Sequence, residues 1–286
     1  MSLSAAPPPE SVVATRLRAA GCVFAEDEAR LIISTARTPA DLAAMVDRRA
    51  AGLPLEHVLG WADFCGLRMA VDPGVFVPRR RTEFLVRQAT ALARQATGPT
   101  GAATGQALDG PRPVVVDLCC GSGAMGAALA AALGRIDLHA VDIDPAAVRC
   151  ARRNLAVAGG QVHEGDLYEP LPATLRGRVD VLVASAPYVP TEAIRLLPAE
   201  ARLHEPRAAL DGGADGLDVV RRVTAGAPLW LAPGGRLLVE TSENQAARTA
   251  EAVARHGLIP RVAASGEFRA TVVIGTRPAH PDGPCG

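Results

Sequence analysis

The chain has 286 residues, thirty of them basic and thirty acidic, for a formal net charge of zero, and every basic residue is arginine. The absence of lysine excludes Schiff-base chemistry, a phosphate-loop lysine and a kinase-type strand lysine. At 49% hydrophobic and 21% charged the chain reads as folded, and ten residues of each sign in 1–85 against twenty in 86–286 leave no basic face for duplex DNA.

The length accommodates one large domain or two. The N-terminus lacks a basic stretch followed by an apolar core, so no secretion signal is expected. The cysteines (22, 65, 119, 120, 150 and 285) form no CxxC and no ligand-like pairing with histidine. They are expected to be reduced, and the chain cytoplasmic. No run of about 18 uncharged apolar residues predicts a membrane span.

Ser11 predicts a helix cap, with the helix running through Ala20 and ending at Gly21. Glu26–Ala36 carries a second helical pattern. Thr38-Pro39-Ala40-Asp41 joins a hydroxyl cap, a first-turn proline and a first-turn acid, opening a helix through Ala50. Residues 1–57 therefore read as a helical domain. In 58–81 the apolar runs Trp61–Phe64, Leu67–Val71 and Val75–Val77 are split by Gly66 and by Asp72-Pro73-Gly74, predicting a β-hairpin linker. Thr82–Ala96 returns to helical spacing, and Gly98–Pro113 has the composition of a flexible surface insertion. Beyond it, strand candidates (Val114–Leu118, Leu138–Ile143, Val162–Glu164, Val179–Ala184, Arg236–Thr241, a weaker Leu258–Val262, and Arg269–Gly275) alternate with helical stretches. That order makes 82–286 an α/β domain with a mostly parallel sheet and an antiparallel pair at its end.

The first strand enters Asp117-Leu-Cys-Cys-Gly121-Ser-Gly123 ahead of a helix. Glycines there let backbone approach a ligand, and the helix start offers free N–H groups. Asp117 is placed to accept from a cationic amine. The second strand ends at Asp142-Ile143-Asp144: Asp142 is the candidate for a ribose diol, Asp144 for a helix cap. After the third strand, Asp166 and Leu167 offer an acid for an adenine amino group and an apolar edge. The ordered set favours S-adenosyl-L-methionine over a dinucleotide. Cys119 and Cys120 read as small packing residues beside the turn, and Ser122 lacks the GxSxG frame of a hydrolase. The six histidines show no metal spacing, so no metal is expected.

The fourth strand runs into Ser185-Ala186-Pro187-Tyr188. With the segments above, the chain resembles the HemK/PrmC-type protein-(glutamine-N5) methyltransferases. Pro54–Gly60 with Phe64, Phe76–Glu83 (the PRxxTE signature), Glu205-Pro206, Ala209–Gly213 and Asp215–Leu217 carry the likeness, which spans roughly residues 12–276. It implies a class I, Rossmann-like fold with a seven-stranded mostly parallel sheet. The cofactor is then S-adenosyl-L-methionine, released as S-adenosyl-L-homocysteine and held by Asp117, Cys119, Gly121, Gly123, Asp142, Ile143, Asp166, Leu167 and Ser185. Catalysis falls to Ser185, Ala186, Pro187 and Tyr188. Substrate binding falls to Arg79, Thr82, Glu83, Pro187, Tyr188 and Glu205. The implied partner is a class I peptide-chain release factor or, as a second protein substrate, a ribosomal protein, docked by the N-terminal helices.

The family tetrapeptide is Asn-Pro-Pro-Tyr, and this chain departs from it at two positions. In the family, the asparagine and the following carbonyl accept from the substrate amide and localise its lone pair in line with the methyl group. Ser185 keeps one acceptor on a shorter arm, and Ala186 keeps the carbonyl without the proline restraint. Loss of one such contact costs about 10²–10³ in rate by analogy with an oxyanion donor. Three outcomes stand open: a re-tuned glutamine enzyme, a small-molecule or nucleobase nitrogen as substrate, or a cofactor-binding paralogue with little turnover. Arg79–Arg81 reads either as a solvated hinge or as steering charge for an acidic partner.

Overall fold

The computed structural model describes residues 9–97 and 112–279. The chain opens with helices α1 (Glu10–Ala19), α2 (Ala25–Thr35), α3 (Pro39–Ala50) and α4 (Leu55–Leu59). Their apolar faces meet in one cluster around Leu17, Ile32, Leu42, Met45 and Val58. Helix α3 starts as its sequence predicts, with Thr38 Oγ1 accepting the Asp41 amide at 3.0 Å. Helix α1 differs: it starts at Glu10 behind Pro9 with no side-chain cap, so Ser11 lies inside the first turn. The fixed φ of proline sets that entry instead. Helix α4 has five residues, too few to show a period in sequence.

Strands β1 (Trp61–Phe64) and β2 (Leu67–Ala70) pair antiparallel with Phe64 opposite Leu67. Cys65 (φ 51°) and Gly66 (φ 75°) form the two-residue turn, both in the left-handed region that a type I′ hairpin requires. The expected third run, Val75–Val77, is not a strand. Val75 is buried against Ala147 and Cys150, and the Val77 amide goes to Glu205 rather than to a ladder. The insertion expected at 98–113 falls almost wholly outside the described residues.

The remainder comprises α5 (Glu83–Thr97), β3 (Val114–Leu118), α6 (Ala124–Leu133), β4 (Asp137–Asp142), α7 (Pro145–Leu155), β5 (Gln161–Glu164), β6 (Val179–Ala184), α8 (Ala199–His204), α9 (Asp218–Trp230), β7 (Leu231–Thr241), α10 (Ala246–Arg255), β8 (Ile259–Ser265) and β9 (Ala270–Thr276). The sheet order is β5-β4-β3-β6-β7-β9-β8, parallel except for β9, which runs antiparallel to both neighbours. This is the class I, Rossmann-like methyltransferase topology. Leu85, Ala89 and Leu129 cover one face, and Val220, Val223, Trp230 and Val253 the other. Central strands such as β3, buried at every position, are therefore continuous apolar runs. The order reverses between β3 and β6, and their carboxyl ends open the crevice where such sheets bind ligands. No helix among the described residues is long and apolar enough to cross a membrane.

Candidate active site

At the carboxyl ends of β3, β4 and β6 lies a cavity lined by Cys119–Ser122, Asp142–Asp144, Gly165–Leu167, Ser185 and Pro187. Its other wall comes from the segment after the hairpin: Phe76, Pro78, Arg79 and Thr82. Asp142 is fixed by two backbone donors, with Oδ2 accepting from Gly121 N (2.8 Å) and Oδ1 from Asp144 N (2.9 Å). Burial nevertheless pushes its carboxyl above the usual range. Ile143 presents an exposed apolar side chain to the same space. Asp166 also lines it, with one oxygen taken by Arg222 at 2.6 Å. Asp144 caps α7 through the Ala146 amide.

The turn glycines divide the work. A Cβ on Gly121 would meet nothing within 4 Å except the open cavity it lines, whereas one on Gly123 would stand 3.1 Å from Ala151 Cβ. Gly123 thus serves helix packing, while Gly121 borders the open cavity. Asp117 departs from its expected direct contact. Strand alternation turns its side chain under α6, where it is fully buried and absent from the cavity wall. Its Oδ2 accepts the Gly126 amide at 2.9 Å and its Oδ1 has no partner. Burial, the largest cause, pushes its pKa up to about 7. Cys119 lines the cavity at φ 55°, and burial holds its thiol far above the ordinary range, so it stays protonated.

A second cavity adjoins the first and shares Phe76, Arg79, Ser185 and Ala209 with it. Ala186, Tyr188, Glu205, Glu56, Glu200, Arg81 and Glu240 also line it, beside apolar residues such as Pro54, Leu197 and Leu210. Ser185 stands one residue beyond the Leu118–Ala184 and Ala184–Val239 pairs, between the two spaces. Its hydroxyl makes no hydrogen bond among the described residues, so it is available to a ligand. The carbonyl of Tyr188 accepts from Gln245 Nε2 at 3.0 Å. A Cβ on Gly216 would come within 2.4 Å of that carbonyl, which is why the loop following the tetrapeptide is glycine there.

Glu205 is buried and receives Arg79 Nη2 at 2.6 and 2.5 Å. Thr82 donates to Glu240 at 2.5 Å, and Arg81 Nε lies 3.1 Å from the same carboxylate. Tyr188 OH is 3.4 Å from it. Burial first, and Glu240 second, push the Tyr188 phenol up to about 12. Glu83 does not reach either cavity. It accepts the Cys65 amide at 3.1 Å and pins the hairpin turn to α5, so the structure gives this expected substrate residue a place behind the hairpin and not on a cavity wall. Glu240 was not anticipated, although a lone acid ending the buried run Leu237–Val239 is a signal of the same kind as Asp117 and Asp142. The five described cysteines are unpaired, and no cluster among the described residues could hold a metal ion.

Residues 106–214 match the methyltransferase small domain model. A release factor glutamine methyltransferase of Geobacter sulfurreducens is 40% identical over 73% of this chain and 68% of its own length. One from Mycolicibacterium smegmatis is 38% identical over 89% of this chain and 86% of that protein. Among solved structures, a methyltransferase of Pyrococcus furiosus superposes with a TM-score of 0.52 at 15% identity, covering 84% of this chain and 99% of that one, a likeness of fold. With that topology, those strand ends and relatives at such identity over most of its length, the chain belongs to the release factor glutamine methyltransferase family.

Proposed function

We propose that the chain transfers a methyl group from S-adenosyl-L-methionine to the side-chain amide nitrogen (N5) of a glutamine in a class I peptide-chain release factor, in the cytoplasm. The observation that carries this reading is Ser185, which stands on the wall common to the two cavities. The first cavity suits the donor: a braced carboxylate for a diol in Asp142 and an apolar edge in Ile143 and Leu167. The donor supplies an electrophilic methyl on a sulfonium.

The chain's own residues supply positioning. Ser185 Oγ and the Ala186 carbonyl accept from the amide N–H groups, which localises the nitrogen lone pair and prevents rotation. Tyr188 gives a flat face beside the amide plane, held at its hydroxyl end by Glu240. Residues 1–57 act as the docking unit, 58–81 as the linker and 82–286 as the catalytic unit.

Incubation of the protein with a class I release factor and the methyl donor, followed by mass spectrometry of the Gly-Gly-Gln peptide, tests the reading. A gain of one methyl on that glutamine supports it; cofactor turnover on another acceptor with the glutamine untouched refutes it. A Ser185→Asn variant that raises glutamine methylation sharply would identify the natural chain as detuned.

A further inference from the structure

Asn154 lies on α7, outside both cavities, in a chain that holds only one other asparagine. Its carboxamide is spent on two segments distant in sequence. Oδ1 accepts the Ala70 amide at 2.9 Å, and Nδ2 donates to the Ala70 carbonyl at 2.9 Å. The side chain thereby copies a neighbouring strand against the outer edge of β2. The second N–H of Nδ2 goes to the Ser122 carbonyl at 2.8 Å. Ser122 is buried between Gly121 and Gly123, both left-handed, in the turn that lines the cofactor cavity. Asp142 holds the amide side of this turn through Gly121, and Asn154 holds its carbonyl side. Both N–H groups of the amide and one lone pair are used, leaving no rotational freedom.

From Ala70 the chain continues to Val75, packed on α7, and then to Phe76 and Arg79, which line both cavities. We propose that Asn154 is a positioning residue that makes the cofactor turn and the hairpin one unit, so that filling the first cavity orders the wall of the second. A half-buried, two-ended amide transmits such a shift because neither partner moves without breaking a hydrogen bond. The proposal rests on reading the first cavity as the S-adenosylmethionine site.

The test uses the full chain and S-adenosyl-L-homocysteine, with calorimetry for affinity and hydrogen exchange at residues 61–79. Binding to the natural protein is expected to slow exchange in the turn and also across Ala70–Val71. Asn154→Asp keeps the bond from the Ala70 amide but sets an oxygen against two carbonyls. It is expected to weaken binding about five- to tenfold, the worth of one or two net hydrogen bonds. Exchange in the turn should still slow on binding, while the hairpin no longer responds. Asn154→Ala should behave alike, and Cys150→Ala, which removes the thiol contacts to the Ala70 carbonyl, Arg153 and Asn154 Nδ2 but leaves the three carboxamide bonds to Ala70 and Ser122 in place, should keep the response. A merely structural asparagine would raise hairpin exchange with and without ligand and leave the ligand-induced difference intact; that result overturns the proposal. A natural protein that fails to bind S-adenosyl-L-homocysteine overturns both the proposal and the reading beneath it, whereas binding without any hairpin response overturns the proposal alone.

Discussion

Glu240 offers a sharp test of how the second cavity is built. Its side chain is 3% exposed and serves Thr82, Arg81 and Tyr188 at once. In Glu240→Ala the buried Thr82 hydroxyl loses its acceptor, a cost of about 1–3 kcal/mol. Arg81 is 45% exposed, so its hydrated guanidinium adds only about 0–1 kcal/mol. At 3.4 Å the tyrosine contact is long, adding little to stability but fixing where the ring sits. The sum is about 1–4 kcal/mol, or roughly 2–8 °C in thermal unfolding for a chain of this size. Glu240→Gln keeps an acceptor for Thr82 and turns an NH₂ toward Arg81 or Tyr188, so it should lose about 1 kcal/mol. Its kcat should nevertheless fall about tenfold or more through the displaced ring, with KM for the methyl donor nearly unchanged. Circular dichroism melts and steady-state methyl transfer to a release factor read both quantities. A Gln variant that melts lower but turns over at the natural rate would refute the assignment of Glu240 to the placement of Tyr188.

Asp117, raised by burial, supplies stability below its unfolded value near 3.9 and loses it as pH rises through about 7. The unliganded protein should therefore melt lower at pH 8 than at pH 5.5, and Asp117→Asn should narrow that difference; an unchanged difference would refute the burial argument. The neutral Tyr188 phenol likewise contributes fully below pH 10 and ceases to do so through about 12. With only two tyrosines, Tyr168 also raised well above its ordinary value by burial, alkaline titration should show almost no phenolate in the folded protein at pH 10.5. Gly123→Ala forces a left-handed alanine within 3.1 Å of Ala151 and should cost about 2–4 kcal/mol. Gly121→Ala has open space and should cost about 1–2 kcal/mol, yet remove cofactor binding detectable by calorimetry.

The parallel strands were legible because burial on both faces makes them continuous apolar runs. β3 and β6 coincide with their expected bounds, and β4, β5, β8 and β9 begin within a residue of theirs. β7 begins five residues earlier than Arg236, at Leu231, because Pro233-Gly-Gly235 reads as a turn while its backbone still belongs to the strand. Val75–Val77 failed for the opposite reason: an apolar triplet followed by proline packs as irregular chain once Glu205 supplies the missing acceptor. At the site, Asp142 and the glycine turn follow from local spacing. Glu240, Arg222 and Asn154 do not, since each acts on a partner 32 or more residues away that only the sheet order brings near.

Long-range partnership also settles what the arginines do. Arg49 reaches Glu28 and, across 151 residues, Glu200 on α8. Arg79 closes on Glu205, Arg81 on Glu240 and Arg153 on Asp72. A planar fork meets a carboxylate in fixed geometry, which a lysine ammonium does not, so an all-arginine chain turns its basic residues into joints between segments. The cluster Arg79–Arg81 is therefore neither pure hinge nor free steering charge: two of its three guanidinium groups are engaged and only Arg80 stays outside. Around the second cavity, Arg79 and Arg81 face Glu56, Glu200, Glu205 and Glu240. A phosphate entering there would meet an acidic excess and would have to break two ion pairs to find a cation. A neutral carboxamide meets no such barrier, which is the electrostatic reason this rim favours a glutamine over a nucleic-acid base on its charged backbone.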